Sequence, residues 1–149
     1  MTTVTTTPTA AAPSNMPLIT MVTGAASIAL GVALAVIANS RGMNWATAAI
    51  PAYVGVLFVL LGAAARTPTL RKHLMHVAAM LALLLTLAGL GMGVPKLIRY
   101  SAGAIPPEAA RPLAWWGQVA MAVIFAVFLV FAIRSFIAAK RWRQANASA

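Results

Sequence analysis

Four long apolar runs, separated by short polar segments, account for most of the chain. A hydrocarbon core about 30 Å thick is crossed by roughly 20 apolar residues, because an α-helix rises about 1.5 Å per residue. The runs therefore predict spanning helices at about 17–39, 45–65, 68–93 and 112–137. Proline at 17 and 68 suits a first helical turn, and Pro51 should kink only the first turns of its helix. We expect an all-α fold, a transmembrane four-helix bundle.

The flanks of this bundle differ from it in composition. Residues 1–16 are rich in Thr, Ala and Pro and carry no charged side chain, which is typical of a disordered tail. Residues 144–149 predict a short polar tail, which leaves 17–143 as one membrane domain. The glycines of GLGMG indicate that the third helix ends near Gly93, and the segment 94–111 should then return the chain to the bilayer, partly along its surface.

Composition supports a membrane protein, since only 8% of the residues are charged, against about 25% in soluble domains. Eleven Lys and Arg face a single acid, Glu108. The basic residues lie at the ends of the apolar runs and form no groove-sized patch, so we expect lipid and not nucleic acid as the partner. The expected contacts with anionic lipid headgroups are Arg71, Lys72, Lys140, Arg141 and Arg143.

The same charges predict the orientation, because cytoplasmic loops retain Lys and Arg. Four spans place both termini on one side of the membrane. Seven basic residues fall on that side: Arg66, Arg71, Lys72, Arg134, Lys140, Arg141 and Arg143. Four fall on the other side: Arg41, Lys96, Arg99 and Arg111. We therefore expect a multi-pass protein of the bacterial cytoplasmic membrane with cytoplasmic termini.

Small residues repeat at helical spacing along the first span, at Gly24, Ser27, Gly31 and Ala35. Such a stripe lets two helices approach closely in lipid, so we interpret it as a helix-packing seam, either within the chain's own bundle or in a homo-oligomer. The third span has a similar face at Ala78, Ala82, Thr86 and Gly89. His73 and His76 fall on the opposite side of that helix, towards lipid or another subunit.

The segment RKHLMH contains both histidines, and Met80 follows on the same face. Copper or haem could use such ligands, but the chain has no other histidine and no cysteine, so only an oligomer could complete the site. Histidine also titrates near neutral pH, which leaves proton or pH sensing open. We favour interfacial polar residues beside Arg71 and Lys72, and we expect no cofactor and no bound metal.

The predicted spans offer few side chains that could support other catalytic chemistry. No predicted span contains a carboxylate, which disfavours paired-carboxylate catalysis, a Ser–His–Asp triad and proton-coupled antiport. We therefore expect no enzyme. Gln118 is the one amide within a span and away from the span ends, and we expect it to form an interhelical hydrogen bond, with a ligand contact as the alternative.

The segments IPAYVGVLFVLLGAAA, RKHLMHVAA and RSFIAAKRWR occur in this order. With them the chain resembles a family of small, uncharacterised four-span bacterial membrane proteins over about residues 17–143, and in size it is similar to the DoxX-like membrane proteins. The resemblance implies a four-span fold and no particular activity. We expect a non-enzymatic accessory or interaction subunit, and the alternative is a transport or metal- or haem-handling protein that uses the face of His73, His76 and Met80.

Overall fold

The structure is a computed structural model that describes residues 15–106 and 110–147. Its helices are α1 (Met16–Ser40), α2 (Trp45–Ala48), α3 (Ile50–Ala64), α4 (Pro68–Ser101) and α5 (Pro112–Ala147). The described ranges contain no strand, which confirms the predicted all-α class. The tail predicted over 1–16 lies outside the described residues except at its end, where Met16 opens α1 and is buried.

Three helices are long and apolar enough to cross a membrane: Met16–Ser40, Pro68–Ser101 and Pro112–Trp142. The predicted second span is divided, since α2 has four residues and α3 has 15. Pro51 explains the break, because it lacks the N–H that would bond to the carbonyl four residues before it. The chain restarts its helix with Ala52 and Tyr53, whose N–H groups donate to the carbonyl of Ala49 at 2.8 and 3.3 Å.

Helix α4 continues eight residues past Gly93, where the sequence predicts an end, and runs through Pro95 to Ser101. Neighbouring contacts favour this continuation, since Gly93 packs on α5 and the ring of Tyr100 lies 5.8 Å from that of Trp115. Gly103 then ends the helix with φ +71°, a left-handed conformation that glycine adopts without strain. Helix α5 likewise includes 144–147, which the sequence predicts as part of a polar tail.

Helices α1 and α3 form a close antiparallel pair. A Cβ atom added to Gly24 would lie 2.6 Å from the carbonyl oxygen of Gly55, so the two backbones are in direct contact there. Gly31 meets the backbone of Ala52 in the same way. Between them, Ser27 Oγ donates to the carbonyl of Pro51 at 2.7 Å. The seam predicted on the first span thus lies against α3, with Ala35 half-buried at its end.

Helices α4 and α5 form the second antiparallel pair, in which Gly89 and Gly93 of α4 contact the backbone of α5. The two pairs meet at a cluster of three buried aromatic rings. The ring of Phe58 lies 4.6 Å from that of Phe125 and 5.5 Å from that of Phe128. These rings belong to the buried core, and a large open space lies nearer one end of the bundle.

Candidate functional site

The predicted histidine face lies on the outside of α4. His73 and His76 are exposed, and Met80 is 66% exposed. The ring of His76 packs 5.1 Å from that of Phe136 on α5. Its Nδ1 lies 3.0 Å from the carbonyl oxygen of Lys72, and because a carbonyl only accepts, Nδ1 is the donor. The nitrogen of His76 that is left to bind anything else is therefore Nε2.

This face offers an incomplete set of metal ligands. Within residues 15–106 and 110–147, no group of three or more His, Cys, Asp or Glu side chains comes together. The two imidazoles share one exposed face of α4, so further ligands would have to come from a second molecule. The geometry leaves the interfacial interpretation and the oligomer-dependent metal or haem site as alternatives.

The predicted headgroup contacts flank the histidines. Lys72, Lys140 and Arg141 are exposed, whereas Arg71 is half-buried and its Nε donates to the carbonyl of Ala65 at 3.5 Å. Arg143 belongs to the last turns of α5. Because His76 packs against Phe136, the first turns of α4 and the last turns of α5 present their basic residues at the same end of the molecule.

A second feature is a cavity of about 590 Å³ at the opposite end of the bundle. It lies where α1 ends and α5 begins, and its walls come from all five helices. Most of its lining is apolar, for example Leu34, Met92 and Met121. Asn44 and Thr47 also line it, and Asn44 caps α2 by accepting a hydrogen bond from the N–H of Ala46 at 3.0 Å. The short helix α2 thus forms part of the cavity wall.

Gln118 borders this cavity without a partner. Its Oε1 is buried and accepts no hydrogen bond from the described residues, so the predicted interhelical hydrogen bond of Gln118 is wrong. The reason is the helix opposite, where Gly89 and Gly93 lie against the backbone of α5 at Gln118 and have no side chain to donate. A buried amide oxygen without a donor is unfavourable by roughly 1–3 kcal/mol.

Arg111 lines the cavity directly before α5 and is itself exposed. Its carbonyl accepts from the N–H groups of Ala114 and Trp115 at 3.1 and 3.3 Å, which fixes its backbone at the start of the helix. The one acid of the sequence, Glu108, falls among residues 107–109, which the structure does not describe. No described carboxylate therefore neutralises Arg111.

The sequence pointed to Gln118 but not to the cavity around it. The small residues in its lining are dispersed over two helices and are ordinary in any membrane span: Ala88, Gly89, Ala114 and Gly117. Only the arrangement of α4 and α5 brings them together.

No protein-family model, curated protein or solved structure matches the chain. The resemblance to small four-span bacterial membrane proteins therefore stays a prediction, and the functional argument depends on the geometry above.

Proposed function

We propose that this chain is a non-enzymatic, four-span protein of the bacterial cytoplasmic membrane that acts as a small accessory or interaction subunit. The observation that carries the proposal is the chemistry of the buried polar side chains. In the described bundle these are mainly hydroxyls that donate to backbone carbonyls, namely Thr20 to Met16, Thr23 to Ile19, Ser27 to Pro51 and Thr86 to Ala82.

Three of these bonds close within the hydroxyl's own helix, four residues back, and the bond from Ser27 joins α1 to α3. Because each hydroxyl proton is already donated, these groups have a structural role. Pumps and proton-coupled transporters instead depend on ionisable groups that face the bundle interior. The histidines of this chain are on the outer surface. The interior therefore supports a structural bundle, and the outer surface supports contact with partners.

The outer face of α4 is the surface we propose for a partner. Met80, Leu84 and Leu87 are 60–66% exposed along it, and His73 and His76 mark its end. Lipid satisfies apolar side chains as well as protein does, so the feature that favours a protein partner is the histidine pair beside them. That partner is a second membrane protein or a second copy of this chain.

Four crossings follow if α2 and α3 cross together. The stretch from Trp45 to Ala64 has about 20 residues and reaches about 30 Å, the thickness of the hydrocarbon core. An even number of crossings places both termini on one side. The excess of Lys and Arg at the start of α4 and the end of α5 supports the cytoplasm as that side.

Photocrosslinking in living cells tests the interaction. A photoreactive residue in place of Leu84 reports on the α4 face, and one in place of Leu60 on α3 is the matched control, since the two leucines are 62% and 60% exposed. We expect one protein adduct of defined mass from position 84 that is absent from position 60. Lipid adducts alone at both positions would contradict an interaction role for this face.

A metal- or haem-handling role is the second candidate, and the hydrogen bond of His76 is the observation that favours it. With Nδ1 held by the carbonyl of Lys72, Nε2 is the nitrogen of His76 that could bind a metal or haem iron. The site would need a second molecule to supply further ligands. The metal content of tag-free protein distinguishes this role from the first.

A further inference from the structure

The cavity at the start of α5 has the composition of a small-molecule site. Ligand sites in proteins commonly enclose about 300–1,000 Å³ and are mostly apolar with a few placed polar groups. This cavity has about 590 Å³, a lining that includes Leu34, Met92 and Met121, and the amide of Gln118 among those side chains. Its apolar part suits a hydrocarbon chain.

Two of its polar groups are aligned along the start of α5. Arg111 directly precedes the helix and Gln118 follows seven residues later, two helical turns on, at about 10 Å along the helix axis. Arg111 lies at the rim and is exposed, whereas Gln118 lies deeper and its Oε1 is buried. A molecule that enters past Arg111 therefore meets a cation first and an unpartnered amide second.

We propose that this cavity binds one single-chain anionic phospholipid. The phosphate pairs with Arg111, the glycerol hydroxyl bonds to the amide of Gln118, and the acyl chain packs against Leu34 and Met121. Rotation about the last side-chain bond of Gln118 exchanges the positions of its oxygen and nitrogen, so the amide can accept or donate. The volume favours one chain, and the positive charge of Arg111 at the rim favours an anion.

This inference does not depend on the accessory role, because it concerns the opposite end of the molecule from the histidines. Failure to find a protein partner would leave it unaffected, and loss of lipid binding would leave the α4 interaction face unaffected. The two proposals can therefore fail separately.

The test is a native mass spectrometry titration of the full chain in an uncharged detergent. The two probes are palmitoyl lysophosphatidylglycerol, which is anionic, and palmitoyl lysophosphatidylcholine, which has the same chain and no net charge. We expect the anionic lipid to bind at least about fivefold more tightly, since a hydrogen bond to a charged group is stronger than one between neutral groups even when solvent at an exposed rim screens it.

Two polar substitutions locate the binding. Arg111→Gln should remove most of the preference for the anionic lipid, whereas Arg99→Gln, at an exposed arginine near the same end of the bundle that does not line the cavity, should keep it. Gln118→Leu should weaken both lipids by about two- to tenfold, the range for one neutral hydrogen bond.

A substitution that fills the cavity completes the design. Ala88→Phe places a ring in the cavity from an exposed position of α4. Ala33→Phe is the control, because it adds the same ring at an exposed position of α1 that does not line the cavity. We expect the first to abolish binding and the second to leave it unchanged. If Ala88→Phe does not fold, Arg111→Gln decides the question because its side chain is exposed. Equal binding of both lipids, unaffected by Arg111→Gln, would overturn the proposal.

Discussion

The close contact between α1 and α3 at Gly31 leads to a prediction for a single substitution. A Cβ atom added to Gly31 would lie 2.8 Å from the Cα atom of Ala52, against the backbone of α3. Backbone atoms inside a packed helix pair cannot move aside as the end of a flexible side chain can, so the two helices must separate. Gly31→Ala, the smallest possible substitution, should therefore destabilise the bundle. Gly91→Ala is the matched control, because nothing lies within 4 Å of a Cβ atom at that helical position.

The expected magnitude combines two opposing terms. Alanine is favoured over glycine inside a helix by about 0.8–1.0 kcal/mol, and this gain applies to both variants. Overpacking against fixed neighbours is unfavourable by about 1–3 kcal/mol, and the backbone contact at Gly31 places it near the upper end. We expect Gly31→Ala to lose about 2 kcal/mol of unfolding free energy and Gly91→Ala to gain up to about 1 kcal/mol. The two single-methyl variants should thus differ by about 3 kcal/mol.

Equilibrium unfolding of both variants in mixed micelles with increasing sodium dodecyl sulfate, followed by tryptophan fluorescence, measures this difference. Chemical crosslinking of each variant in detergent checks that the oligomeric state is unchanged. If Gly31→Ala unfolds at the same detergent fraction as Gly91→Ala, the seam on α1 faces lipid and the packing argument is refuted.

Three further outcomes are expected. Gln118→Leu should raise the free energy of unfolding of lipid-free protein by about 1 kcal/mol, because it removes a buried oxygen without a donor, and a loss of stability in the same unfolding assay would point to an unseen partner. Replacing both His73 and His76 by Gln should preserve folding. Elemental analysis and an absorption spectrum should find the same background levels of metal and haem in the tag-free wild type and the variant, whereas metal in the wild type alone would favour the metal-handling role. Alkaline phosphatase should be active when inserted at Gly103 and inactive when fused after Ala149, and the reverse result would invert the proposed topology.

The sequence by itself determined the all-α class of this protein and where its long helices start. Runs of about 20 apolar residues must form helices in lipid because every backbone polar group has to be bonded within its own segment, and this constraint is local. The effect of Pro51 is local as well, because the missing N–H is a property of one residue, so a disturbance at the start of its helix could be expected from the sequence. The small residues on α1 likewise marked a face for packing.

Tertiary structure decided what each face meets. The seam of α1 lies against α3, and a stripe of small residues by itself does not indicate which helix will pack on it. Helix α4 passes Gly93 because α5 supports it there, although the glycines alone suggest an end. The cavity forms where residues of all five helices meet, and Oε1 of Gln118 has no donor because α4 presents glycines opposite it. Whether a buried amide is bonded depends on the helix opposite, and that helix lies about 30 residues away in the sequence.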